Sequence, residues 1–216
     1  EGDLLPLSKT LRSVALIGPN ANNVRNLVGD YSYPAHIEIL VAMNGAGLSD
    51  TPLPESIQLE DNFVEIQSVL MALQHKLGKG TEIHYAKGCD VLGDSTAGFA
   101  EAVAAAEQSD VAIVVVGDKS GLTQDCSTGE FRDRSSLTLP GVQEELVKAI
   151  VATGKPVVVV FVNGRPVSSP WIAEQVPAIL EAWFPGEEGA AAIADVLFGD
   201  LNPGGKLPVT ITRNAG

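Results

Sequence analysis

The sequence predicts an α/β domain in which a mostly parallel β-sheet is sandwiched by helices on both faces. Short apolar, β-branched segments alternate along the chain with longer segments of helical character. The apolar segments are hydrophobic at nearly every position, as strands are when both faces of a sheet are covered. Most of them end at a glycine, where the chain can turn toward the next element. This alternation is typical of parallel sheets with crossover helices.

The first half of the chain contains two predicted strands and two predicted helices. Residues 13–18 (SVALIG) predict a buried strand, and residues 81–88 (TEIHYAKG) predict the next one. A helix is expected over 62–77, because apolar residues recur there at helical spacing before a glycine, and an alanine-rich helix over 97–110. Residues 29–56 are rich in Gly, Pro and Asn and are expected to be irregular, and so long an irregular segment usually has a function.

The second half continues the same alternation. A run of valines and isoleucine ends at a glycine, a helix with proline at its start and glycine at its end follows, and two more apolar runs precede a further helix. The predicted elements are a strand at 111–117, a helix at 140–154, strands at 156–164 and 178–184, a helix at 188–200 and a closing extended segment at 206–212.

The composition argues against several classes of function. The chain has 216 residues and is 45% hydrophobic, enough for a full core. It carries 27 acidic against 14 basic side chains, a net charge of −13, with no basic stripe. Binding to nucleic acid or to an anionic membrane surface is therefore disfavoured. The longest apolar run, Pro156 to Val162, is too short to span a bilayer.

Metal and disulfide chemistry have no motif in the sequence. The two cysteines, Cys89 and Cys126, form no CxxC pair, and each is expected to be a small buried side chain, although whether they pair is open. His36, His75 and His84 are scattered and show no ligand spacing. We therefore expect no metal site.

The loop after the third predicted strand concentrates carboxylates. Asp118, Asp125, Glu130 and Asp133 lie in one excursion over residues 118–139. Ligands of parallel sheets bind at the carboxyl ends of the strands. A glycosidase needs one protonated and one ionised carboxyl group about 5–10 Å apart, so this loop is a candidate for proton transfer. On composition alone, a solvated surface cluster is the commoner outcome.

Other chemistries of strand-end loops lack their motifs. Glycine follows a strand in ALIGPNANN and in VVVGDKSG, but neither segment has the GxGxxG pattern of dinucleotide-binding domains. The phosphate loop GxxxxGK[ST] and the nucleophile elbow GxSxG are both absent. Dinucleotide binding and serine-nucleophile catalysis are therefore disfavoured.

Several sequence segments resemble those of the second domain of glycoside hydrolase family 3 and occur in the same order. That domain is the α/β sandwich that follows the catalytic barrel. The most specific of these segments is DVAIVVVGDKSG at 110–121 leading to GEFRDRSSLTLPGVQEELVKAI at 129–150. The others are LLPL at 4–7 with VALIGPNA at 14–21, VGDYSYP at 28–34, YAKGCDV at 85–91, VVVVFVNGRPV at 157–167, and AILEAWFPGEEGAAAIADVLFGDLNPGGKLPVTI at 178–211. The resemblance thus covers most of the chain.

The resemblance implies a role for three residues. Many members of the family take their general acid/base from a glutamate in a GE just before xDR, and Glu130 stands in that position. Tyr31 matches an aromatic residue placed against the sugar, with packing against the barrel as the alternative, and Asp30 is assigned with it to substrate binding. Arg132 and Arg134 are expected to hold the loop by pairing with acids.

The resemblance also implies a larger protein. Residues 1–13 are expected to be the linker from an upstream barrel, which carries the nucleophilic aspartate, and 14–216 the sandwich domain. The expected activity is retaining, exo-acting hydrolysis of a terminal β-linked glucose or xylose in an oligosaccharide or β-glycoside, with no cofactor. The isolated chain should be almost inactive. The family includes secreted and periplasmic proteins as well as cytoplasmic ones, so the compartment stays open.

Two alternatives remain at this point. The chain could be a non-catalytic structural or carbohydrate-contacting module that retains the family's fold without its chemistry. A weaker alternative is a free-standing nucleotide-binding α/β domain.

Overall fold

Five strands form one parallel sheet, in the order β2-β1-β3-β4-β5, in a computed structural model that describes residues 4–49 and 64–215. Each neighbouring pair is parallel, which confirms the predicted fold class. All five strands were predicted; β3 has the predicted bounds, and the other four are one to three residues shorter than predicted. They are β1 (Ser13–Ile17), β2 (Glu82–Ala86), β3 (Val111–Gly117), β4 (Val157–Val162) and β5 (Ala178–Glu181).

Six α-helices and two short 3₁₀ turns surround the sheet in the part of the chain that the structure describes. The 3₁₀ turns cover Arg25–Leu27 and Gly78–Gly80. The helices are α1 (Tyr33–Gly45), α2 (Val69–Leu77), α3 (Phe99–Glu107), α4 (Gln143–Val151), α5 (Pro170–Gln175) and α6 (Gly189–Leu197).

Two of these helices correct the sequence-based expectation. Helix α1 lies inside the segment expected to be irregular, of which residues 50–56 fall outside the described part. Its apolar residues are spread around the helix instead of forming one stripe, so no helical period is visible. Helix α5 has only six residues, too few for a period to emerge.

The boundary of α2 is also later than predicted. The helix expected over 62–77 begins at Val69, because the Ser68 side chain caps it by accepting a hydrogen bond from the Met71 amide at 3.2 Å. Residues 62 and 63 lie outside the described part. The extended segment expected at 206–212 contains neither helix nor strand and is exposed.

The core is divided by the sheet into two layers. In β1, Val14 and Leu16 pack toward α2 and α6, whereas Ala15 and Ile17 pack toward α3, α4 and α5. All four side chains are fully buried. Because successive side chains of a strand point to opposite faces, an uninterrupted apolar run is what a sheet covered on both sides requires.

The sheet has its topological switch point between β1 and β3. The chain leaves β1 toward β2 on one side, and β3 then returns to the other side of β1, with Ile17 opposite Val114. Connections that diverge in this way leave a crevice at the carboxyl ends of the two strands, where ligands of such folds bind. The loops over residues 18–32 and 118–142 rise from these two strand ends.

Candidate active site

The three residues assigned to the site from the sequence meet at this switch point. The Tyr31 hydroxyl donates a hydrogen bond to Glu130 Oε2 at 3.2 Å. The Glu130 amide donates to Asp30 Oδ2 at 2.9 Å. Asp30 and Tyr31 come from the loop after β1, and Glu130 comes from the loop after β3. Residues far apart in sequence therefore form one cluster because their strands are neighbours in the sheet.

Glu130 occupies a corner of a tight turn. The Arg132 amide donates to the Gly129 carbonyl at 3.0 Å, which closes a four-residue turn over 129–132. Gly129 has φ +125°, and a Cβ at this position would lie 2.5 Å from the carbonyl oxygen of Gly121. Only glycine fits such a close backbone contact. The glycine before the acid is thus explained both by its φ and by this approach.

The Arg132 side chain holds the turn against the preceding part of the same loop. Its guanidinium donates to the carbonyl oxygens of Thr123 at 2.8 Å and Leu122 at 2.9 Å. The expectation that Arg132 holds the loop is correct, but its partners are carbonyl groups and not acids. Carbonyl oxygens of a bent loop need donors, and a planar guanidinium supplies several at once. Arg134 is half-buried next to Arg165, and burial followed by this second cation lowers its pKa.

A network of charged side chains supports the base of the same loop. Glu38 of α1 lies 2.8 Å from the Arg25 guanidinium and 3.2 Å from the Lys119 ammonium. Arg25 also donates to the Ser120 carbonyl at 2.8 Å, and Lys119 lies 2.6 Å from Asp125. The network thereby joins α1 and the first loop to the loop that carries Glu130. This network could not be predicted, because α1 itself was not predicted.

The electrostatics of this network favour the ionised forms of Lys119 and Asp125. Burial alone would lower the pKa of Lys119, but the carboxylates of Asp125 and Glu38 outweigh burial and raise it. Burial likewise opposes ionisation of Asp125, whose pKa is nevertheless lowered by the hydrogen bonds from Lys119 and Thr123. Paired in this way, the charges tolerate their partly buried position.

A second polar group lies at the ends of β3, β4 and β5. Asp118 is fully buried, accepts a hydrogen bond from the Ser127 hydroxyl at 2.7 Å and lies 3.3 Å from Arg165 Nε. Glu181 is the acid with the most perturbed ionisation here. Burial, together with the nearby charge of Asp118, raises the pKa of Glu181 to about 7, against the opposing hydrogen bond from the Trp183 amide. The sequence signal for Glu181 was an acidic residue at the end of an apolar segment, and the sequence-based prediction did not include it.

Glu181 belongs to a different region from Glu130. It lines a hollow of about 830 Å³ between β5, α5 and residues 203–213. None of Asp30, Tyr31 and Glu130 contributes to that lining. The exposed turn and the hollow are therefore separate features, and the raised pKa of Glu181 does not concern the Glu130 turn.

Neither cysteine takes part in the contacts that join Glu130 to Asp30 and Tyr31. Cys89 and Cys126 are free and buried, and burial raises the pKa of the Cys89 thiol to about 11. Within residues 4–49 and 64–215, no three His, Cys, Asp or Glu side chains come together as a metal ion would require. In the same residues, no helix combines the length and apolarity needed to cross a bilayer.

Fold and site together define a doubly wound α/β domain that presents an acidic turn at its switch point. Comparison with known families then identifies it. The chain belongs to glycoside hydrolase family 3, since the family model described as the glycosyl hydrolase family 3 C-terminal domain matches residues 1–216.

Relatives with curated names agree with this assignment. A β-xylosidase of Formosa agariphila is 43% identical over the whole chain, and a periplasmic β-glucosidase of Salmonella typhimurium is 35% identical over 99% of it. The chain spans 26% of the length of each of these two proteins.

Solved structures show the same fold. A β-glucosidase from Erythrobacter marinus superposes with a TM-score of 0.72 at 34% identity, with 100% of this chain and 28% of that one covered. A family 3 exo-β-xylosidase in complex with a xylobiose aziridine probe gives a TM-score of 0.68 at 31% identity, over 93% of this chain and 22% of the other.

Proposed function

We propose that this chain is the second domain of a retaining, exo-acting β-glycosidase and that Glu130 is its general acid/base. The substrate would be an oligosaccharide or β-glycoside with a terminal β-linked glucose or xylose. The observation that carries the proposal is the Glu130 turn, whose carboxyl group is exposed at the switch point and held there by Asp30 and Tyr31. The names of the relatives, β-xylosidase and β-glucosidase, support the substrate class.

The proposed chemistry is a double displacement. Glu130 first protonates the departing glycosidic oxygen while a nucleophilic carboxylate forms the glycosyl-enzyme, and Glu130 then accepts the proton of the water that hydrolyses it. The nucleophile would be the aspartate of an upstream barrel, joined to this domain through residues 1–13, with 14–216 as the sandwich domain. A retaining mechanism requires that aspartate to lie about 5 Å from the Glu130 carboxyl group.

The exposure of the turn supports a shared active site. Glu130 and Tyr31 are both exposed, with 76% of Tyr31 accessible. A proton donor works only within hydrogen-bonding distance of a bound substrate. Because the turn is exposed, another domain would have to hold the substrate against these side chains. One carboxyl group cannot carry out both steps, and the isolated chain should accordingly be almost inactive.

Asp30 and Tyr31 complete the proposal. Tyr31 would place its ring against the sugar while its hydroxyl bonds to Glu130. Asp30 would contact a sugar hydroxyl through Oδ1, because its Oδ2 accepts the hydrogen bond from the Glu130 amide. We also propose a secreted or periplasmic location, in line with the name of the Salmonella typhimurium relative.

The test is chemical rescue of the full-length enzyme carrying Glu130→Gln. With p-nitrophenyl β-glucoside or β-xyloside, the glycosyl-enzyme should form, and its hydrolysis should stall because water lacks a base. Azide needs no base, so it should restore turnover and give the β-glycosyl azide. Normal turnover without azide would instead identify the domain as a structural or carbohydrate-contacting module.

The paired variants Tyr31→Phe and Tyr31→Ala separate the two proposed roles of Tyr31. The hydroxyl donates to the Glu130 carboxyl group and so helps to orient it. In Tyr31→Phe, kcat should therefore fall several-fold, with KM little changed. Tyr31→Ala should add a roughly tenfold rise in KM, about 1.4 kcal/mol.

The hydrogen bond between Tyr31 and Glu130 also affects the ionisation of the Tyr31 phenol. Its hydrogen bond with Glu130, followed by the charge of that carboxylate, raises the pKa of Tyr31. Tyr31 therefore stays protonated and remains a donor throughout the working range. If both variants keep the wild-type kcat and KM, Tyr31 contacts neither the sugar nor the reacting carboxyl group.

A further inference from the structure

Phe131, the residue after Glu130, has a backbone conformation that does not suit it. Its φ is +61°, and within residues 4–49 and 64–215 the other non-glycine residue with positive φ is Trp183. In the turn over 129–132, Phe131 stands at the third position, where a positive φ normally selects glycine or asparagine. A bulky side chain at such a φ is a strained outlier.

Burial does not offset this strain. The Phe131 side chain is 78% exposed and belongs to neither layer of the core. Trp183 differs, because its side chain is half-buried in the wall of the hollow beside β5. A glycine at 131 would relieve the strain without loss of packing against the described residues. The ring is therefore available for a contact outside the part of the chain that the structure describes.

The position of the ring indicates what it contacts. Glu130 and Phe131 are the two corners of one turn, and their Cα atoms are about 3.8 Å apart. In the proposed function, the Glu130 carboxyl group reaches the glycosidic oxygen, which joins the retained sugar to the leaving group. Tyr31, from the other loop, already lies against Glu130 through its hydroxyl. Phe131 follows Glu130 directly in the same turn, so its exposed ring is available to the part of a bound substrate that lies beyond the glycosidic oxygen.

We propose that Phe131 contacts the leaving-group side of the substrate and determines which leaving groups the enzyme prefers. The inference rests on the proposed function of Glu130. A phenyl ring offers no hydrogen bond, so it recognises apolar surface, namely an aryl ring or the apolar face of a second pyranose. The preferred substrates are then aryl glycosides and disaccharides, and small leaving groups gain nothing from Phe131.

The experiment compares leaving groups of different size on the full-length enzyme. For Phe131→Ala and Phe131→Gly, kcat/KM should fall roughly tenfold with a β-linked disaccharide and with the p-nitrophenyl glycoside. With the matching glycosyl fluoride, measured by fluoride release, it should change less than about twofold. Phe131→Tyr retains the ring and should behave like the wild type. Azide partitioning of the glycosyl-enzyme should be unchanged, since the leaving group has already departed.

Three results overturn the proposal. An equal loss with all substrates, the fluoride included, assigns Phe131 to the contact with the barrel or to the placement of Glu130. No loss with any substrate shows that the ring has no contact in catalysis. A lower melting temperature of Phe131→Ala, which removes the ring and keeps a side chain at the same φ, would show that the ring stabilises the fold after all. These results are independent of the Glu130→Gln rescue, which can fail while the dependence on the leaving group persists.

Discussion

Replacement of Glu130 by Gln in the full-length enzyme should slow the cleavage of alkyl glycosides and disaccharides by roughly 10²–10⁴-fold. Such leaving groups depart as strongly basic alkoxides unless a proton is supplied. Gln has the shape and polarity of Glu but no transferable proton. It can still accept the Tyr31 hydrogen bond, so the geometry of the turn is preserved while the proton transfer is lost.

The dependence on the leaving group distinguishes this loss from misfolding. p-Nitrophenolate departs with little protonation, so the first bond cleavage should remain near the wild-type rate while hydrolysis of the glycosyl-enzyme becomes limiting. Rapid mixing should therefore show a burst of p-nitrophenolate equal to the enzyme concentration, followed by a slow steady state. The disaccharide should show no burst.

Asp133→Asn is the matched control for this variant. It removes one negative charge from an exposed carboxylate three positions further along the same loop. Its kinetics should stay within about twofold of the wild type, because a single exposed charge contributes little. An equal loss in both variants, or the absence of a burst in Glu130→Gln, would assign the proton donor to another part of the protein.

Gly117→Ala should prevent folding or destabilise the chain by more than about 4 kcal/mol. Gly117 ends β3 with φ +145°, and a Cβ there would lie 1.9 Å from the carbonyl oxygen of Val162. That oxygen belongs to β4 in the interior of the sheet and cannot move away without breaking the β3–β4 ladder. Both the φ and the contact therefore oppose any side chain.

The free energy of unfolding in urea measures this effect, with Gly80→Ala as the control. Gly80 has open space around its Cβ position and no positive φ. Its substitution should change stability by less than about 1 kcal/mol, through the unfolded chain alone. If Gly117→Ala unfolds at nearly the wild-type midpoint, the ends of β3 and β4 are less tightly joined than the contact with the Val162 carbonyl oxygen implies.

The sheet could be predicted from the sequence because its signal is local. The runs that form β3 and β4 are apolar at every position, and a strand buried on both faces imposes such a run. Helix α1 could not be predicted in this way. Its apolar residues surround the helix, so it has no amphipathic period, and Glu38 joins it to the site loops.

The site was predictable in part. Glu130, Tyr31 and Asp30 could be named from phrases that resemble a family, but no local pattern tells that residues 30 and 130 meet. Their contact depends on β1 and β3 being neighbours, which is a property of strand order. The left-handed φ of Phe131 was likewise invisible, because a phenylalanine carries no local signal for a conformation that glycine would normally adopt.

The hydrogen bond between Asp30 and the Glu130 amide has a consequence for recombination among relatives. A chimaera that exchanges only residues 118–139 places a foreign acid turn on a partner loop that did not evolve with it. The exchanged loop then has to form three contacts with residues of the other parent. These are the contacts of its acid residue with Asp30 and Tyr31 and the ion pair with Glu38. The smallest segment that can be transplanted intact is thus a pair of loops, residues 18–38 with 118–139, inherited from the same parent.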